Sequence, residues 1–362
     1  MKIAVYMPNW IGDAVMATPT LRAIRDQYPN AEIVAVMRPY VAEVLEGLEL
    51  VDRNLLYNPR GKDRSQRGLP FIQKLRREQF DVALLLPNSI RTGWLAFISG
   101  AKRRIGFSRD GRGLLLTDRV KPQDRSAPNP VIDEYLRLAK QLGCKGSATH
   151  VDHRLSREMF LAATEQDELH LEEFWQRESG SKLADSMPLS TDGYICLNPG
   201  GAFGAAKHWP SASFGQLANR IATELNKTVL VLCGPNEKDE ARQIVQTADN
   251  SNVVSFANHE TSIGLTKAAV KHCDLLITTD SGPRHFAAPF GVPVVTLFGP
   301  THIAWSETFS SKSIHLQLEV DCGPCQQRVC PLQHHRCMTE LEPDRVFKAA
   351  VSLLERQQRH AA

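Results

Sequence analysis

Long apolar runs are absent from this 362-residue sequence, and none approaches the length of a membrane-spanning helix. The N-terminus also lacks a charged and then apolar export signal, because the chain enters a predicted strand at residues 3–7 directly. These two absences predict a cytoplasmic protein. Hydrophobic residues make up 42% of the sequence and charged residues 23%, as in globular proteins, and the length exceeds what one core usually holds. We therefore expect two domains.

Several nucleotide-site motifs are missing as well. Asp-x-Asp, the commonest local carboxylate pair for a divalent metal beside a nucleotide sugar, occurs nowhere. Neither the P-loop Gly-x-x-x-x-Gly-Lys-Ser/Thr nor the dinucleotide fingerprint Gly-x-Gly-x-x-Gly is present, which disfavours P-loop nucleotidases and dehydrogenases. A reaction that releases a diphosphate would therefore depend on protein cations, backbone amides and helix ends.

Cysteine is sparse, and half of the eight residues lie close together in the sequence. Four are scattered through predicted helices and strands, where we expect core thiols: Cys144, Cys196, Cys233 and Cys273. The other four form a Cys-x2-Cys-x4-Cys-x6-Cys cluster around two histidines: Cys322, Cys325, Cys330 and Cys337. The first pair has zinc-ligand spacing, so the cluster is interpreted either as a structural zinc site or redox-sensitive clip, or as free thiols. A reducing cytoplasm disfavours disulfides.

Predicted strands and helices alternate along the chain, as in a parallel, doubly wound α/β sheet. The run at 82–86 is typical of a strand buried on both faces. Alternation stops in the less regular residues 145–192 and starts again at residue 194, which places the linker at 183–193. The sequence therefore predicts two Rossmann-like domains, 1–182 and 183–342, with a final helix at 343–362.

Positive charge is concentrated in one part of the chain. Residues 53–125 contain 17 Lys and Arg against 6 Asp and Glu, a balance of +11, whereas the remainder has 26 against 34, or −8. Such a surface suits anionic sugars or an anionic membrane. Aromatic residues do not interleave with the basic ones as a stacking platform requires, so we expect no nucleic-acid partner. The basic segment 59–70, which includes Arg60 and Arg64, is either a solvated loop or a clamp on an acidic acceptor.

The polar turn around Asp280 follows a predicted buried strand at 275–277. A short helix is predicted to begin near Arg284, and a second buried strand follows at 294–297. At such a turn, helix N–H groups and the dipole attract anions and phosphates at the carboxyl end of the strand. Asp280 could hold sugar hydroxyls, Gly282 allows a ligand close to the backbone, and His285 adds a donor. Alternatively, Asp280 or Ser281 is only a helix N-cap.

A glycine-rich loop follows the predicted strand at 194–197. Gly200 and Gly201 could wrap a phosphate with backbone N–H groups, and Lys207 would supply a charge for a leaving diphosphate. Because this loop and the Asp280 turn both follow strands of one predicted sheet, they could form the two sides of a diphosphate pocket.

Asp13 follows the first predicted strand and stands where a helix running to about Tyr28 begins. One interpretation is a capping aspartate. The other is a general base, because an acidic group at the carboxyl end of a strand can face a substrate.

Three motifs together resemble a known family. They are Asn-Trp-Ile-Gly-Asp at 9–13, Pro-Gly-Gly-Ala-x-Gly-x-x-Lys-x-Trp-Pro ending at Pro210, and Thr-Asp-Ser-Gly-x-x-His at 279–285, followed by Phe-Gly-Pro-Thr at 298–301. This sequence is similar to the ADP-heptose:lipopolysaccharide heptosyltransferases, most of all to the heptosyltransferase II branch. The resemblance covers nearly the whole chain.

The resemblance implies a GT-B fold, in which two Rossmann-like domains face a central cleft, the first binding the acceptor and the second the ADP sugar. The last helix would pack back across the domain junction. The implied reaction is an inverting, metal-independent transfer of heptose from ADP-L-glycero-D-manno-heptose to the inner core of lipopolysaccharide, with heptosyl-Kdo-lipid A as acceptor. No cofactor is needed for it. The enzyme would act as a peripheral protein on the anionic cytoplasmic face of the inner membrane.

The resemblance also implies roles for individual residues. Asp13 would deprotonate the acceptor hydroxyl, and Lys207 would neutralise the departing ADP with help from the amides of Ser281 and Gly282 and from His285. Asp280 would hold heptose hydroxyls. Acceptor-binding candidates rest mainly on charge: Arg60, Arg64, Asn88 and Arg91.

Three alternatives stay open. The chain could be a related GT-B enzyme that uses another nucleotide sugar, or a first heptosyltransferase that acts on Kdo-lipid A. It could also be a nucleotide-sugar or anion-binding module without catalysis, although Asp13, Lys207 and Asp280 together argue against this.

Overall fold

The computed structural model describes residues 1–124, 128–146, 155–178, 193–201 and 204–361. The chain divides into two compact units, of which the first comprises Met1–Ala162 and Ala304–Glu307. The second comprises Ala163–Ile303 and Thr308–Ala362. None of the described helices has both the length and the apolar character needed to cross a bilayer.

The first unit is built on a six-stranded parallel sheet with the strand order β3-β2-β1-β4-β5-β6. Ile3 of the central strand is paired with Ile33 on one side and Val82 on the other. The central strands are buried runs of apolar residues, as a sheet covered on both faces requires. The strands are β1 (Lys2–Tyr6), β2 (Glu32–Met37), β3 (Arg53–Leu56), β4 (Val82–Leu85), β5 (Arg103–Phe107) and β6 (Asp118–Val120).

Helices connect these strands and bury their apolar sides on the sheet. They are α1 (Ile11–Met16), α2 (Thr18–Gln27), α3 (Pro39–Leu45), α4 (Gly68–Arg77), α5 (Ile90–Ile98) and α6 (Val131–Leu142). The prediction of one helix reaching Tyr28 is wrong, because a new helix begins at Thr18 with Pro19 in its first turn. Proline is favoured there, since its missing N–H group would have no partner within the helix.

The second unit repeats the architecture with a parallel sheet in the order β12-β11-β10-β7-β8-β9. Its strands are β7 (Tyr194–Asn198), β8 (Thr228–Val231), β9 (Val253–Ser255), β10 (Leu275–Thr279), β11 (Val294–Phe298) and β12 (Ser313–Gln317). Its helices are α7 (Glu165–Glu178), α8 (Ser211–Glu224), α9 (Lys238–Ala248), α10 (Ile263–His272), α11 (Arg336–Thr339) and α12 (Pro343–Ala361). β10 lies between β7 and β11, so Thr278 is paired with both Asn198 and Thr296.

The boundary between the units lies earlier in the sequence than the predicted one at 182, because α7 packs on α10. Phe174 of α7 contacts Phe256 edge to face, with ring centroids 4.8 Å apart. Fully buried Lys267 of α10 lies 3.3 Å from a carboxylate oxygen of Asp167. Residues 183–192 of the predicted linker lie outside the described residues.

The last helix, α12, is part of the second unit. The guanidinium of Arg220 in α8 lies 4.0 Å from the ring centroid of Phe347 and 2.8 Å from the carboxylate of Asp344. The indole N–H of Trp209 donates to the carbonyl of Leu341 just before the helix, at 2.8 Å. Packing of α12 across the domain junction stays a prediction.

Candidate active site

The glycine-rich loop and the Asp280 turn meet at the carboxyl edge of the second sheet. They follow β7 and β10, which are neighbouring parallel strands, so both loops leave the sheet at the same edge. The side-chain amide of Asn198 donates to the Ser281 hydroxyl at 2.7 Å, and the Thr279 hydroxyl donates to the carbonyl of Gly200 at 2.8 Å. The expectation that the two loops belong to one sheet is therefore confirmed.

Lys207 and Asp280 form a buried ion pair between these loops. The Lys207 ammonium lies 2.5 Å from Oδ2 of Asp280 and donates to the Asp280 backbone carbonyl at 2.9 Å. The Thr301 hydroxyl donates to the same Oδ2 at 2.7 Å. Burial opposes ionisation of Asp280, but the charges of Lys207 and Arg284 outweigh it and lower the pKa of the carboxyl to about 2. The sequence assigned Lys207 to the diphosphate of the sugar donor and Asp280 to its sugar hydroxyls, whereas the structure shows the two side chains in contact with each other.

Arg284 is a buried member of this cluster, although the sequence predicted it only as the start of a helix. Its guanidinium lies 3.7 Å from Oδ1 of Asp280, donates to the Thr296 hydroxyl at 3.1 Å and lies 4.9 Å from the ring centroid of Phe298. A cation four residues after an aspartate is a pattern that could have indicated this contact.

The segment after the Asp280 turn differs from the prediction. Pro283–Phe286 is a single 3-10 turn rather than an α-helix, so it is too short to supply the helix dipole that we expected. Its N-cap is Gly282 with no side-chain cap bond, so the alternative of a purely capping Asp280 or Ser281 is wrong.

His285 lies inside this turn and is 3% exposed. Burial, reinforced by the charge of Arg284, lowers the pKa of its imidazole to about 3. The ring is therefore neutral at physiological pH, and among the described residues its Nδ1 has no hydrogen-bond partner. A direct contact of His285 with a donor stays a prediction.

The glycine-rich loop is packed against the cysteine-rich segment. Gly204 has a φ of 154°, and a Cβ there would overlap the backbone carbonyl oxygen of Arg328. That carbonyl accepts a bond from the N–H group of Ala206 at 3.1 Å, and the N–H group of Gln326 donates to the Pro300 carbonyl at 2.8 Å. The segment around the cysteines therefore contacts the glycine-rich loop and the loop after β11. Ala202 and Phe203 of the glycine-rich loop lie outside the described residues.

Gly200 and Gly201 have different surroundings. Gly200 is buried, and a Cβ there would overlap the side-chain carboxylate of Glu237. Gly201 is half-buried, and a Cβ there would meet its nearest neighbour, the Thr279 hydroxyl, only at 3.7 Å. Close packing therefore explains why a glycine is needed at position 200, but it does not explain the glycine at position 201.

All eight cysteines lie in the described residues and are thiols. The N–H groups of His335 and the three residues before it hydrogen-bond to the Cys330 sulfur and lower its pKa. Burial and the nearby sulfurs of the other three clustered cysteines raise the pKa of Cys337. Across the described part of the chain, no group of three or more His, Cys, Asp or Glu side chains is placed to hold a metal ion, and the structural zinc stays a prediction.

Asp13 lies in the wall of a cavity of about 340 Å³ in the first unit. It occupies the first turn of α1, whose N-cap is Trp10, so the interpretation of Asp13 as the capping residue is wrong. Tyr135 lines the same cavity, and burial together with the charge of Asp13 raises the pKa of its hydroxyl well above the usual value. Other lining side chains are aromatic, amide or charged: Trp10, Asn88, Arg109, Glu134 and Trp305.

A second cavity of about 390 Å³ lies beside Arg38 and Arg91. Arg38 follows β2, donates to the side-chain oxygens of Asn9 and Asn58, each at 3.3 Å, and lies 5.7 Å from the ring centroid of Tyr57. Pro87 and Ser89 line both cavities. The two cavities therefore share the loop that follows β4.

The four predicted acceptor residues lie in three different places, which are the two cavities and the exposed surface. Asn88 lines the cavity of Asp13 and Arg91 lines the second cavity. Arg60 and Arg64 are exposed and line neither, and Arg64 begins a 3-10 turn capped by the side chain of Asp63. The predicted loop at 59–70 is thus partly regular, and α4 already begins at Gly68.

The profile of glycosyltransferase family 9 (heptosyltransferase) matches residues 69–336 of this chain. The chain belongs to this family. It is therefore a glycosyltransferase. The matched range includes Lys207 and Asp280, and also Asn88 and Arg91, the two acceptor candidates that line a cavity.

Curated relatives match along almost their whole length. The lipooligosaccharide heptosyltransferase 2 of Campylobacter jejuni subsp. jejuni serotype O:2 is 25% identical over 98% of this chain and 99% of the relative. The lipopolysaccharide heptosyltransferase 2 of Escherichia coli K12 is 26% identical over 98% and 99%, respectively. The solved structure of E. coli ADP-heptose lps heptosyltransferase II is 23% identical, with a TM-score of 0.78 over 99% of this chain and 100% of that one. This likeness confirms the predicted GT-B fold.

One buried residue of this glycosyltransferase was missed by the sequence analysis. Arg112 is fully buried, and its guanidinium donates to the backbone carbonyls of Phe107 and Pro87 and, at 3.2 Å, to the side-chain oxygen of Asn88. Burial lowers its pKa to about 10, so the guanidinium stays charged at neutral pH. Arg112 therefore holds the loop shared by the two cavities. No local pattern predicts this, because Asn88 is 24 residues away.

Proposed function

We propose that this family 9 enzyme transfers heptose from ADP-L-glycero-D-manno-heptose to the inner core of lipopolysaccharide, with heptosyl-Kdo-lipid A as the acceptor. Family membership supports a glycosyl transfer, and the names of the relatives support the sugar and acceptor. The observation that carries the donor assignment is the buried Lys207–Asp280 pair between the two loops at one sheet edge.

In the proposed reaction, the acceptor hydroxyl oxygen attacks the anomeric carbon of the heptose. Asp13 accepts the proton of that hydroxyl, the bond from the anomeric carbon to the ADP oxygen breaks, and ADP leaves with the electron pair. A single displacement of this kind inverts the anomeric centre. Asp13 suits the role of base because it lies in the first turn of α1 and lines a cavity. Asp280 suits it less, because a carboxylate with a pKa of about 2 is a weak base.

We assign the leaving diphosphate to the second unit. Lys207 faces the developing negative charge, with the backbone amides of Gly200, Gly201, Ser281 and Gly282 as further donors. Asp280 fixes the position of the ammonium through its carboxylate and its carbonyl. His285 lies beside this cluster as a neutral side chain. These protein groups replace a divalent metal in the proposed mechanism.

We assign the acceptor to the first unit. Its reacting sugar would occupy the cavity of Asp13, where aromatic, amide and carboxylate side chains suit a polyhydroxylated ring. Its anionic groups would contact Arg38 and Arg91 in the second cavity, and Arg60 and Arg64 on the adjoining surface. The enzyme would work as a peripheral protein on the cytoplasmic face of the inner membrane, where the lipid anchor of the acceptor resides.

The test is ADP release by the purified protein with ADP-heptose in the presence of EDTA, with Kdo-lipid A and heptosyl-Kdo-lipid A compared as acceptors. Turnover only with the heptosylated acceptor is expected. Turnover only with Kdo-lipid A would assign the first transfer instead, and a requirement for added metal would contradict the proposed role of Lys207. If neither acceptor leads to ADP release from ADP-heptose, but another ADP sugar does release ADP, the assignment of heptose as the transferred sugar is overturned.

A further inference from the structure

Helix α5 is apolar on nearly every side, yet one side of it is about half exposed in the part of the chain that the structure describes. Only Arg91 and Thr92 are polar among its nine residues. Leu95 and Ala96 are buried, whereas Ile90, Trp94 and Phe97 are 58%, 45% and 53% exposed. Helices that are apolar all round are normally covered by protein or by lipid.

The exposed residues form one continuous stripe. Positions 90, 94 and 97 are separated by four and three residues, which places their side chains in a row along one side of a helix. Below, these three residues are called the α5 apolar face. Leu114, which is 85% exposed, is a further apolar side chain on the 3-10 turn Arg112–Leu115 that packs against α5.

Basic side chains lie on α5 and on the segment before its neighbour α4. Arg91 belongs to α5 itself, and the segment that leads into the neighbouring helix α4 carries four further cations and one carboxylate, Asp63. Within the ranges that the structure describes, none of these five cations is in an ion pair with a carboxylate. The four cations of the segment are Arg60, Lys62, Arg64 and Arg67.

We propose that the α5 apolar face and these five cations dock this enzyme on an anionic lipid bilayer. Large apolar side chains would enter the boundary between headgroups and acyl chains, while the cations contact lipid phosphates. A second copy of this chain fits the surface less well, because a two-fold interface would bring the same cations together. The partner that matches both the apolar stripe and the charge is therefore the membrane.

The proposal rests on the proposed function in one respect, which is the lipid anchor of the acceptor. Ile90 belongs to the α5 apolar face and also lines the cavity of Arg38 and Arg91. Docking through this face would therefore place the entrance of that cavity at the lipid surface. A sugar chain that projects from the bilayer could then enter it without leaving its anchor.

Co-sedimentation of the full-length protein with vesicles tests the docking. We expect binding to vesicles of phosphatidylglycerol and phosphatidylcholine, and little binding to phosphatidylcholine alone. Trp94→Ser/Phe97→Ser should weaken binding about tenfold or more, since burial of two large apolar side chains is lost. The matched control is Leu169→Ser, which removes a half-exposed leucine from α7 in the second unit.

The charge contribution needs its own pair of variants. Lys62→Glu/Arg67→Glu should weaken binding to the anionic vesicles at least about tenfold, because each cation near such a surface strengthens binding about fivefold. Arg356→Glu/Arg359→Glu on α12 is the control, since it makes the same change of charge at two exposed positions of the second unit.

Three outcomes would overturn the proposal. They are equal vesicle binding by wild type and by Trp94→Ser/Phe97→Ser, no binding of wild type to the anionic vesicles, and a wild-type dimer that becomes a monomer in the double variant. A thermal midpoint within about 2 °C of wild type excludes misfolding of the variant. Heptose transfer to a deacylated, water-soluble acceptor should be unchanged in the double variant. If no protein transfers heptose although vesicle binding is normal, the proposed function fails and the docking stands.

Discussion

At the scale of single residues, the two aspartates with proposed roles differ in their surroundings. Asp280 is buried against Lys207, with Arg284 nearby, and its carboxylate is stabilised as a fixed counter-charge. Asp13 is half-buried in a cavity wall next to Tyr135. A low pKa suits a structural anion, whereas a general base needs access to the proton that it removes.

Asp13→Asn is expected to lower heptose transfer by about 10²–10⁴-fold, the usual contribution of a general base, because an amide does not take up the acceptor proton. The affinity for ADP should stay within about twofold of wild type, since Asp13 belongs to the first unit and the donor is assigned to the second. ADP release and calorimetric ADP titration measure the two quantities.

The matched control for that variant is Asp26→Asn, which makes the same change at an exposed position of α2. It should behave as wild type. Near-normal turnover of Asp13→Asn would remove Asp13 as the base.

His285 makes stability depend on pH. Its pKa is lowered to about 3, so the unfolded chain binds a proton below about pH 6.5 that the folded protein does not bind. The free energy of unfolding should therefore fall as the pH is lowered from 6.5 towards 3, by up to about 1.4 kcal/mol per pH unit. Protonation of Asp280 lowers the free energy of unfolding further, but only below pH 3.8, where the carboxyl of the unfolded chain begins to bind a proton.

Urea unfolding at pH 7 and pH 5 measures this effect. His285→Gln should remove most of the difference between the two pH values, whereas His170→Gln, at an exposed position of α7, should preserve it. An unchanged pH dependence in His285→Gln would show that other groups are responsible.

At the scale of elements, the cysteine-rich segment supports the glycine-rich loop. Arg328 contacts Gly204 and accepts the bond from Ala206, and Gln326 is bonded to the loop after β11. This part of the chain contains little regular structure, so its position depends on these backbone contacts. The glycine-rich loop is thus held by a segment that lies about 120 residues further along the sequence.

Gly204→Ala tests that support. Its φ of 154° and its contact with the Arg328 carbonyl leave no room for a Cβ, so the loop must move and Lys207 with it. We expect at least a tenfold weaker affinity for ADP, or about 1.4 kcal/mol, with a smaller change in the affinity for acceptor. Isothermal titration with ADP measures it.

Gly113→Ala is the control, because a Cβ there would have no neighbour closer than 3.8 Å. If Gly204→Ala binds ADP like wild type, the loop position does not matter for the donor.

At the scale of the whole molecule, the chain combines two similar folds with unequal charge. Both units are six-stranded parallel sheets, but residues 53–125 of the first carry a balance of +11. Repeated architecture therefore does not imply a repeated ligand. This charge is the reason for assigning the anionic acceptor to the first unit in the proposed function.

Ionic strength should therefore act mainly on the acceptor. Raising KCl from about 50 to 300 mM shortens the Debye length from about 14 to 6 Å, which screens the exposed arginines. We use a deacylated form of the heptosylated acceptor to avoid vesicle effects, and we expect its KM to rise about tenfold while kcat changes less than twofold. Steady-state ADP release measures both quantities. A KM that is independent of salt would contradict an electrostatic acceptor surface.

The sequence predicted most of the fold, because strands and helices follow from patterns a few residues long. The strand predicted at 82–86 is observed as Val82–Leu85, and the one at 275–277 as Leu275–Thr279. β12 was not predicted, and the helix expected near Arg284 is a 3-10 turn. β12 is an edge strand of five residues with mostly half-buried side chains, so its hydrophobic pattern is weak.

Local sequence patterns were enough to predict two parallel α/β sheets, to assign the loops of Lys207 and Asp280 to one of them, and to place most basic residues in the other. The contact of Lys207 with Asp280, the burial of Arg284 and Arg112, and the position of Arg38 in a cavity wall became known from the folded chain alone. The physical reason is distance along the chain: Lys207 and Asp280 are 73 residues apart. Such contacts arise when crossover helices bring distant strands together, and no local pattern encodes them.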